Sequence, residues 1–168
     1  MIRRLTASDA SAFLTVRRSA LEDAPFAFAS SPEDDRSRSR EFVEQSLAAS
    51  DQAVFGAFAA ELVGIVGVHR DRHLKALHKC HLSGLYVAPA SRSAGVGRAL
   101  VTAALEFARS LPGVTHVFAG VTDRAPQAAA LYRDLGFTAW GVEQAALRVG
   151  DALVAETHLV LTLDGDSA

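Results

Sequence analysis

The sequence predicts a mixed α/β (α+β) fold: a central sheet of about six to seven strands, antiparallel at its start and parallel around a central strand–helix–strand unit, with helices on both faces. Three observations carry this. Strand-like and helix-like segments follow one another as βααββ, then βαβα, then ββ, the order of a sheet covered by helices. The 168 residues, 49% hydrophobic and 21% charged, supply one core and would be a squeeze for two. Pro89, Pro112-Gly113, Gly136 and Gly150 fall where periodic runs stop. A single domain over residues 1–163 is expected, with 164–168 as a frayed tail.

Ile2 to Leu5 reads as a short strand, and Thr6-x-x-Asp9 resembles a capping box opening a helix with Ala10, Phe13, Leu14 and Leu21 on one face. "EDAPFAFASSPEDDRSRSR" is a long loop by its prolines, serines and mixed charge. Ser39 to Ala49 is a second amphipathic helix, with Phe42, Val43 and Leu47 inward. Ala53 to Ala59 and Leu62 to His69 form a hairpin turning near Ala60-Glu61. After a charged connection, "HKCHLSGLYVAP" is a strand ended by Pro89, which has no N–H for a ladder. Leu100, Val101, Ala104, Leu105, Ala108 and Leu111 then recur at helical spacing up to Pro112-Gly113. "VTHVFAGV" is a strand, and "PQAAALYRDLGF" is a helix with proline in its first turn and Gly136 as its stop. Trp140 to Arg148 and Val154 to Leu163 close the chain as two strands around Gly150-Asp151.

Charge and hydropathy exclude several classes of partner. Seventeen Lys and Arg against nineteen Asp and Glu leave a net charge of -2, and no basic run forms a nucleic-acid-binding face. "MIRRLTASDASAF" meets Asp9 before an apolar stretch develops, so it does not read as a secretory signal, and no window reaches the ~18 apolar residues of a membrane span. The lone Cys80 excludes an intramolecular disulfide and is compatible with a reducing cytosol. The expected location is cytoplasmic.

The segment "SRSAGVGRAL", Ser91 to Leu100, places two glycines directly before a helix. Such a turn presents backbone N–H groups at the positive end of a helix dipole, and glycine permits positive φ and close approach of an anion. From the glycines alone, a phosphate site and a plain turn stand equally open. A P-loop needs Gly-Lys-Ser/Thr, but Arg98-Ala99 follows Gly97; a dinucleotide fingerprint needs a third glycine where Leu100 stands.

Arg92-Ser93-Ala94-Gly95-Val96-Gly97 preceded by "LYVAP", together with the later "AAALYRDLGF", resembles the GNAT superfamily of acyl-CoA-dependent N-acyltransferases over nearly the whole chain. The resemblance implies a partly splayed sheet whose central strand carries a bulge, with the backbone of Leu85, Tyr86 and Val87 pairing with the pantetheine arm and acyl thioester of acetyl-CoA. It implies pyrophosphate binding across Arg92, Ser93, Ala94, Gly95, Val96, Gly97 and Arg98, with the two arginines adding counter-charge. Tyr132 matches a tyrosine near the thioester sulfur and is expected to protonate the departing thiolate; packing on its apolar stripe is the competing reading. One position departs from the family: Ala125 stands where an asparagine often contacts the pantetheine arm.

The implied reaction is direct attack of a primary amine on acetyl-CoA in a ternary complex. A small amine or amino compound is favoured as acceptor over a protein N-terminus or lysine. A non-catalytic coenzyme A-binding sensor or regulatory module is the alternative, motivated by Ala125, and a homodimer is the assembly many similar transferases adopt. His81, where many members carry a glutamate, is the expected base, since an imidazole of pKa ~6.5 can take the amine's proton. Glu22, Asp23 and Glu143 are carboxylate alternatives of lower weight. No metal is expected, because His78 and Cys80 share one strand face while His81 points to the other and no paired-ligand motif occurs. The acids Glu22, Asp23, Glu33, Asp34 and Asp35 beside Phe26 and Phe28 suggest a wall that favours a cationic amine; solvated loop charges are the competing reading.

Overall fold

Every expected element forms. The structure, a computed structural model, describes residues 1–163; the expected frayed tail lies outside the described residues. In chain order the elements are β1 (Ile2–Arg4), α1 (Ala10–Asp23), α2 (Arg40–Ala48), β2 (Gln52–Phe58), β3 (Leu62–Arg70), β4 (Lys79–Val87), α3 (Val96–Ser110), β5 (His116–Thr122), α4 (Pro126–Asp134), β6 (Thr138–Val149) and β7 (Ala152–Thr162). The seven strands form one open sheet in the order β1-β2-β3-β4-β5-β7-β6. Only β4 and β5 run parallel, because α3 crosses over between them; the other neighbours are antiparallel.

Strand alternation divides the core between two faces. On one, Val66, Val68, Cys80, Leu82, Val117 and Ala119 meet Leu100, Val101, Ala104, Leu105 and Ala108 of α3, with Tyr132 and Phe137 beside them. Each buried leucine or valine contributes about 1.5–3 kcal/mol, so α3 is firmly anchored and its N-terminus is held in place. On the other face, Ile65 and Tyr86 meet Phe13 and Ala20 of α1 and Val43 and Leu47 of α2. Phe42, expected inward, is instead 36% exposed and lies under the Arg36 guanidinium at 5.1 Å.

The helix ends follow local chemistry. Ser39 accepts from Phe42 N–H to start α2. At the end of α4, Gly136 (φ 92°) lets its own N–H reach the Arg133 carbonyl and that of Phe137 reach Tyr132, a Schellman closure. Before α1, the Asp9 carboxylate accepts from Thr6 N–H at 2.8 Å and from Arg3 at 2.8 and 2.7 Å. Those donors, the Arg3 hydrogen bond first, hold the Asp9 carboxyl well below the usual carboxylate range. Asp9→Ala is expected to cost about 1 kcal/mol, read as a lower urea midpoint at pH 7 with an unchanged slope.

Candidate functional site

β4 and β5 pair only at Lys79–His116, Cys80–Val117 and His81–Phe118, and beyond His81 they have no register. The facing edges of Leu82–Val87 and Ala119–Thr122 therefore open as a V. A bulge in β4 accompanies the opening. Ile65 faces Tyr86 and Gly67 faces Ser83, so β4 carries one extra residue between those pairs, and Gly84 there adopts φ 65°. A bulge bends its strand, which turns the end of β4 away from β5. Gly84 shapes the opening although the motifs do not include it; a glycine inside a strand run signals a bulge. Arg17 lies beside it, its Nη1 3.6 Å from where a Cβ would stand, with its Nε and Nη2 at 3.0 and 2.6 Å from the Asp35 carboxylate.

Leu85 and Val87 turn their side chains to the α3 face, and Tyr86 is buried on the α1–α2 face. Just beyond, the loop into α3 carries two left-handed residues, Ser93 (φ 66°) and Gly95 (φ 74°). Gly95 caps α3 without any side-chain acceptor, and the first helical bond runs from Ala99 N–H to Gly95. Among the described residues, the backbone N–H groups of Ser93, Ala94, Gly95, Val96, Gly97 and Arg98 have no backbone or side-chain acceptor. Unpaired amides at a helix N-terminus, in a loop with left-handed residues, are an arrangement suited to holding an anion. No atom lies within 4 Å of a Cβ built on Gly95, so the approach is clear.

Arg92 is placed differently from the rest of that run. Its N–H is taken by the Pro89 carbonyl, its Nε donates to Val87 at 2.8 Å, and its Nη2 lies 2.5 Å from Asp23. In this structure the Arg92 guanidinium ties the end of β4 to α1 through a carbonyl and a carboxylate. Arg98 faces Asp134 of α4 at 3.6 Å.

Tyr132 sits on the α3–α4 face, 4% exposed, edge-on to Phe137 with ring centroids 5.2 Å apart. Burial pushes its hydroxyl up to about 12, so it stays protonated through the physiological range. Among the described residues the hydroxyl makes no hydrogen bond, yet no fully occluded side-chain polar atom lacks a partner, so its oxygen is not completely closed off from solvent.

His81 projects from the opposite face, at the last paired position before the V opens. Its ring stacks between His69 (5.2 Å) and Phe118 (5.6 Å), and its Nε2 lies 3.6 Å from Asp71 Oδ2. The structure thus puts Tyr132 and His81 on opposite faces of the sheet. Burial, and then the neighbouring His81, lowers the His69 pKa, so His69 is favoured in its neutral form. As pH falls below the ordinary imidazole value, the unfolded chain gains the proton first and stability drops until the lowered folded value is passed. The urea midpoint of the wild type is expected to fall between pH 7 and pH 5, and to fall less in His69→Gln.

The acidic loop does not form the expected wall. Glu22 pairs with Arg18, Asp23 with Arg92 and Asp35 with Arg17, while Asp34 accepts from Ser31 N–H. Three of those acids, Glu22, Asp23 and Asp35, thus each face an arginine. Cys80 is fully buried, and burial pushes its thiol up to about 11, so it is an inert core group. Ala125 caps α4 through its backbone, bonding Thr122 and Ala129, and its methyl packs on the core, so no side-chain polar contact to a ligand arises there. Among the described residues, no three His, Cys, Asp or Glu side chains gather as a metal-ion group.

The model of the acetyltransferase (GNAT) family matches residues 14–137. No curated protein sequence matches the chain. Among solved structures, the ribosomal-protein-alanine N-acetyltransferase of Brucella melitensis superposes with a TM-score of 0.83 at 24% identity, over 97% of this chain and 99% of its own. The yncA protein of Salmonella typhimurium, solved with its cofactor acetyl-CoA, gives 0.83 at 21% identity over 100% and 96%. A phosphinothricin acetyltransferase of Sinorhizobium meliloti, solved with the same ligand, gives 0.83 at 18% over 97% and 88%. All three share the fold.

Proposed function

The chain belongs to the GNAT acetyltransferase family, and from that membership we propose that it is a single-domain N-acetyltransferase, residues 1–163, moving an acetyl group from acetyl-CoA to a primary amine by direct attack within a ternary complex. The observation that carries the reading is the run of unpaired amides from Ser93 to Arg98 beside a V-shaped opening in the sheet. A pyrophosphate is the anion that such a nest fits, and the unpaired edge of Leu82–Val87 suits an amide-bearing pantetheine arm, which can pair with it as a strand would. Acetyl-CoA supplies a thioester whose carbonyl carbon accepts the amine's lone pair and whose C–S bond then breaks.

The chain's own groups divide the proton traffic. His81, beside Asp71, takes the proton that makes the incoming ammonium a neutral nucleophile. Tyr132, kept protonated by burial, gives its proton to the departing sulfur and recovers one from the nitrogen as the amide forms. One proton leaves to solvent per turnover. Calorimetric titration with acetyl-CoA and a thiol-release assay over a panel of primary amines test the reading. Binding with turnover supports it, no binding overturns it, and tight binding with no turnover selects the sensor alternative that Ala125 motivates.

A further inference from the structure

Beside the open groove of about 770 Å³ along Asp71, Arg72 and His73, two smaller cavities flank β4 on the His81 face. One, of about 220 Å³, lies at the bulge and contains Arg17, whose charge is already matched by Asp35. The other, of about 250 Å³, lies at the apex of the V, where β4 and β5 part, and is lined by His81, Phe118, Gly120, Trp140, Glu156 and His158. Its carboxylate is held in an unusual way. Glu156 stands opposite Thr122 in the β5–β7 register, but its side chain leans along β5 to lie on Gly120, where a Cβ would come within 1.8 Å of Oε1. Only glycine at position 120 permits that pose. Among the described residues the carboxylate makes no hydrogen bond, and His158 Nδ1 lies 3.9 Å from it.

The remaining walls are aromatic. Trp140, 61% exposed, stacks on His158 at 5.3 Å, and His158 Nε2 faces Glu143 at 3.2 Å, which fixes the imidazole under the indole. A carboxylate that lacks a hydrogen-bond donor, within a cavity walled by indole and phenyl rings, is complementary to a primary ammonium on an apolar body. A carboxylate on the ligand would meet Glu156 and Glu143 unfavourably.

Building on the N-acetyltransferase reading, we propose that Glu156, positioned by Gly120, is the acceptor-binding carboxylate, and that the acceptor is a primary amine with an apolar body and no carboxylate beside the amine. His81, on the same cavity wall, then receives the proton of the bound ammonium.

The test uses the full chain with acetyl-CoA and a matched pair of amines, phenethylamine and phenylalanine, which differ only in the carboxylate. Expected is a kcat/KM at least tenfold higher for phenethylamine. Glu156→Gln should raise its KM at least tenfold with the acetyl-CoA KM unchanged, and Gly120→Ala should do the same although the carboxylate remains. Equal or better use of phenylalanine, or an unmoved amine KM in both variants, overturns the assignment. Should no amine turn over, phenethylamine binding in the presence of coenzyme A is measured by calorimetry. Binding lost in Glu156→Gln keeps the ammonium site while the transferase reading falls; absent or unaltered binding rejects the site.

Discussion

Tyr132→Phe is expected to lower kcat about 100-fold, near 2.7 kcal/mol of barrier, while leaving acetyl-CoA affinity within about twofold. The ring supplies the packing, edge-on to Phe137, and phenylalanine retains it. The hydroxyl has no internal hydrogen bond to lose, so the thermal midpoint should hardly move. That separation makes the variant informative. If Tyr132 only fills the core, turnover stays at the wild-type rate; if it is the acid, turnover falls without a loss of fold or cofactor. Because burial pushes the hydroxyl up to about 12, the wild-type kcat profile should show no descending limb from this group between pH 6 and 9.

Gly95→Val is expected to weaken acetyl-CoA binding about 30-fold by calorimetry, equivalent to roughly 2 kcal/mol, the worth of one hydrogen bond to a charged phosphate. Two costs combine at this position. At φ 74° a branched side chain strains the backbone by about 1–2 kcal/mol, and its bulk takes up the open space beside the amides of Ser93 to Arg98. Gly113→Val separates them. Gly113 has φ 76°, follows α3 at its far end, and has as nearest neighbour only Arg70 Nη2 at 3.9 Å from a built Cβ. It should lower the thermal midpoint comparably and leave acetyl-CoA affinity intact. Equal losses of affinity in both variants would remove the phosphate cradle from this loop.

Local patterns made most of the fold legible. α3 could be read because Leu100, Val101, Ala104, Leu105 and Ala108 recur at helical spacing, and that face is the one buried. The turn with its free amides was legible for a similar reason, since glycines before a helix act within a few residues of themselves. Phe42 was misread because its helical spacing matched that of Val43 and Leu47, whereas its burial depended on how far α2 overlaps the sheet. Arg92 shows the same boundary: a sequence gives an arginine beside a phosphate loop, but its partners, Asp23 and Val87, are supplied by the packing of α1 against β4.

Sheet order lay beyond local pattern. Nothing in the chain order places β7 between β5 and β6, yet that insertion brings Glu156 onto Gly120 and His158 against Trp140. Gly120 looked like an ordinary strand glycine until the side chain lying on it, from thirty-six positions later in the chain, was in view. By itself, the sequence determined the order of elements, the α3 core face, the glycine-rich turn and the family resemblance, because each rests on contacts between residues close in the chain or on a contiguous motif. Only the tertiary structure decided where β4 and β5 part, which face His81 and Tyr132 each occupy and which acids face an arginine, because those depend on strand register and on pairs of residues that meet only after the sheet has formed.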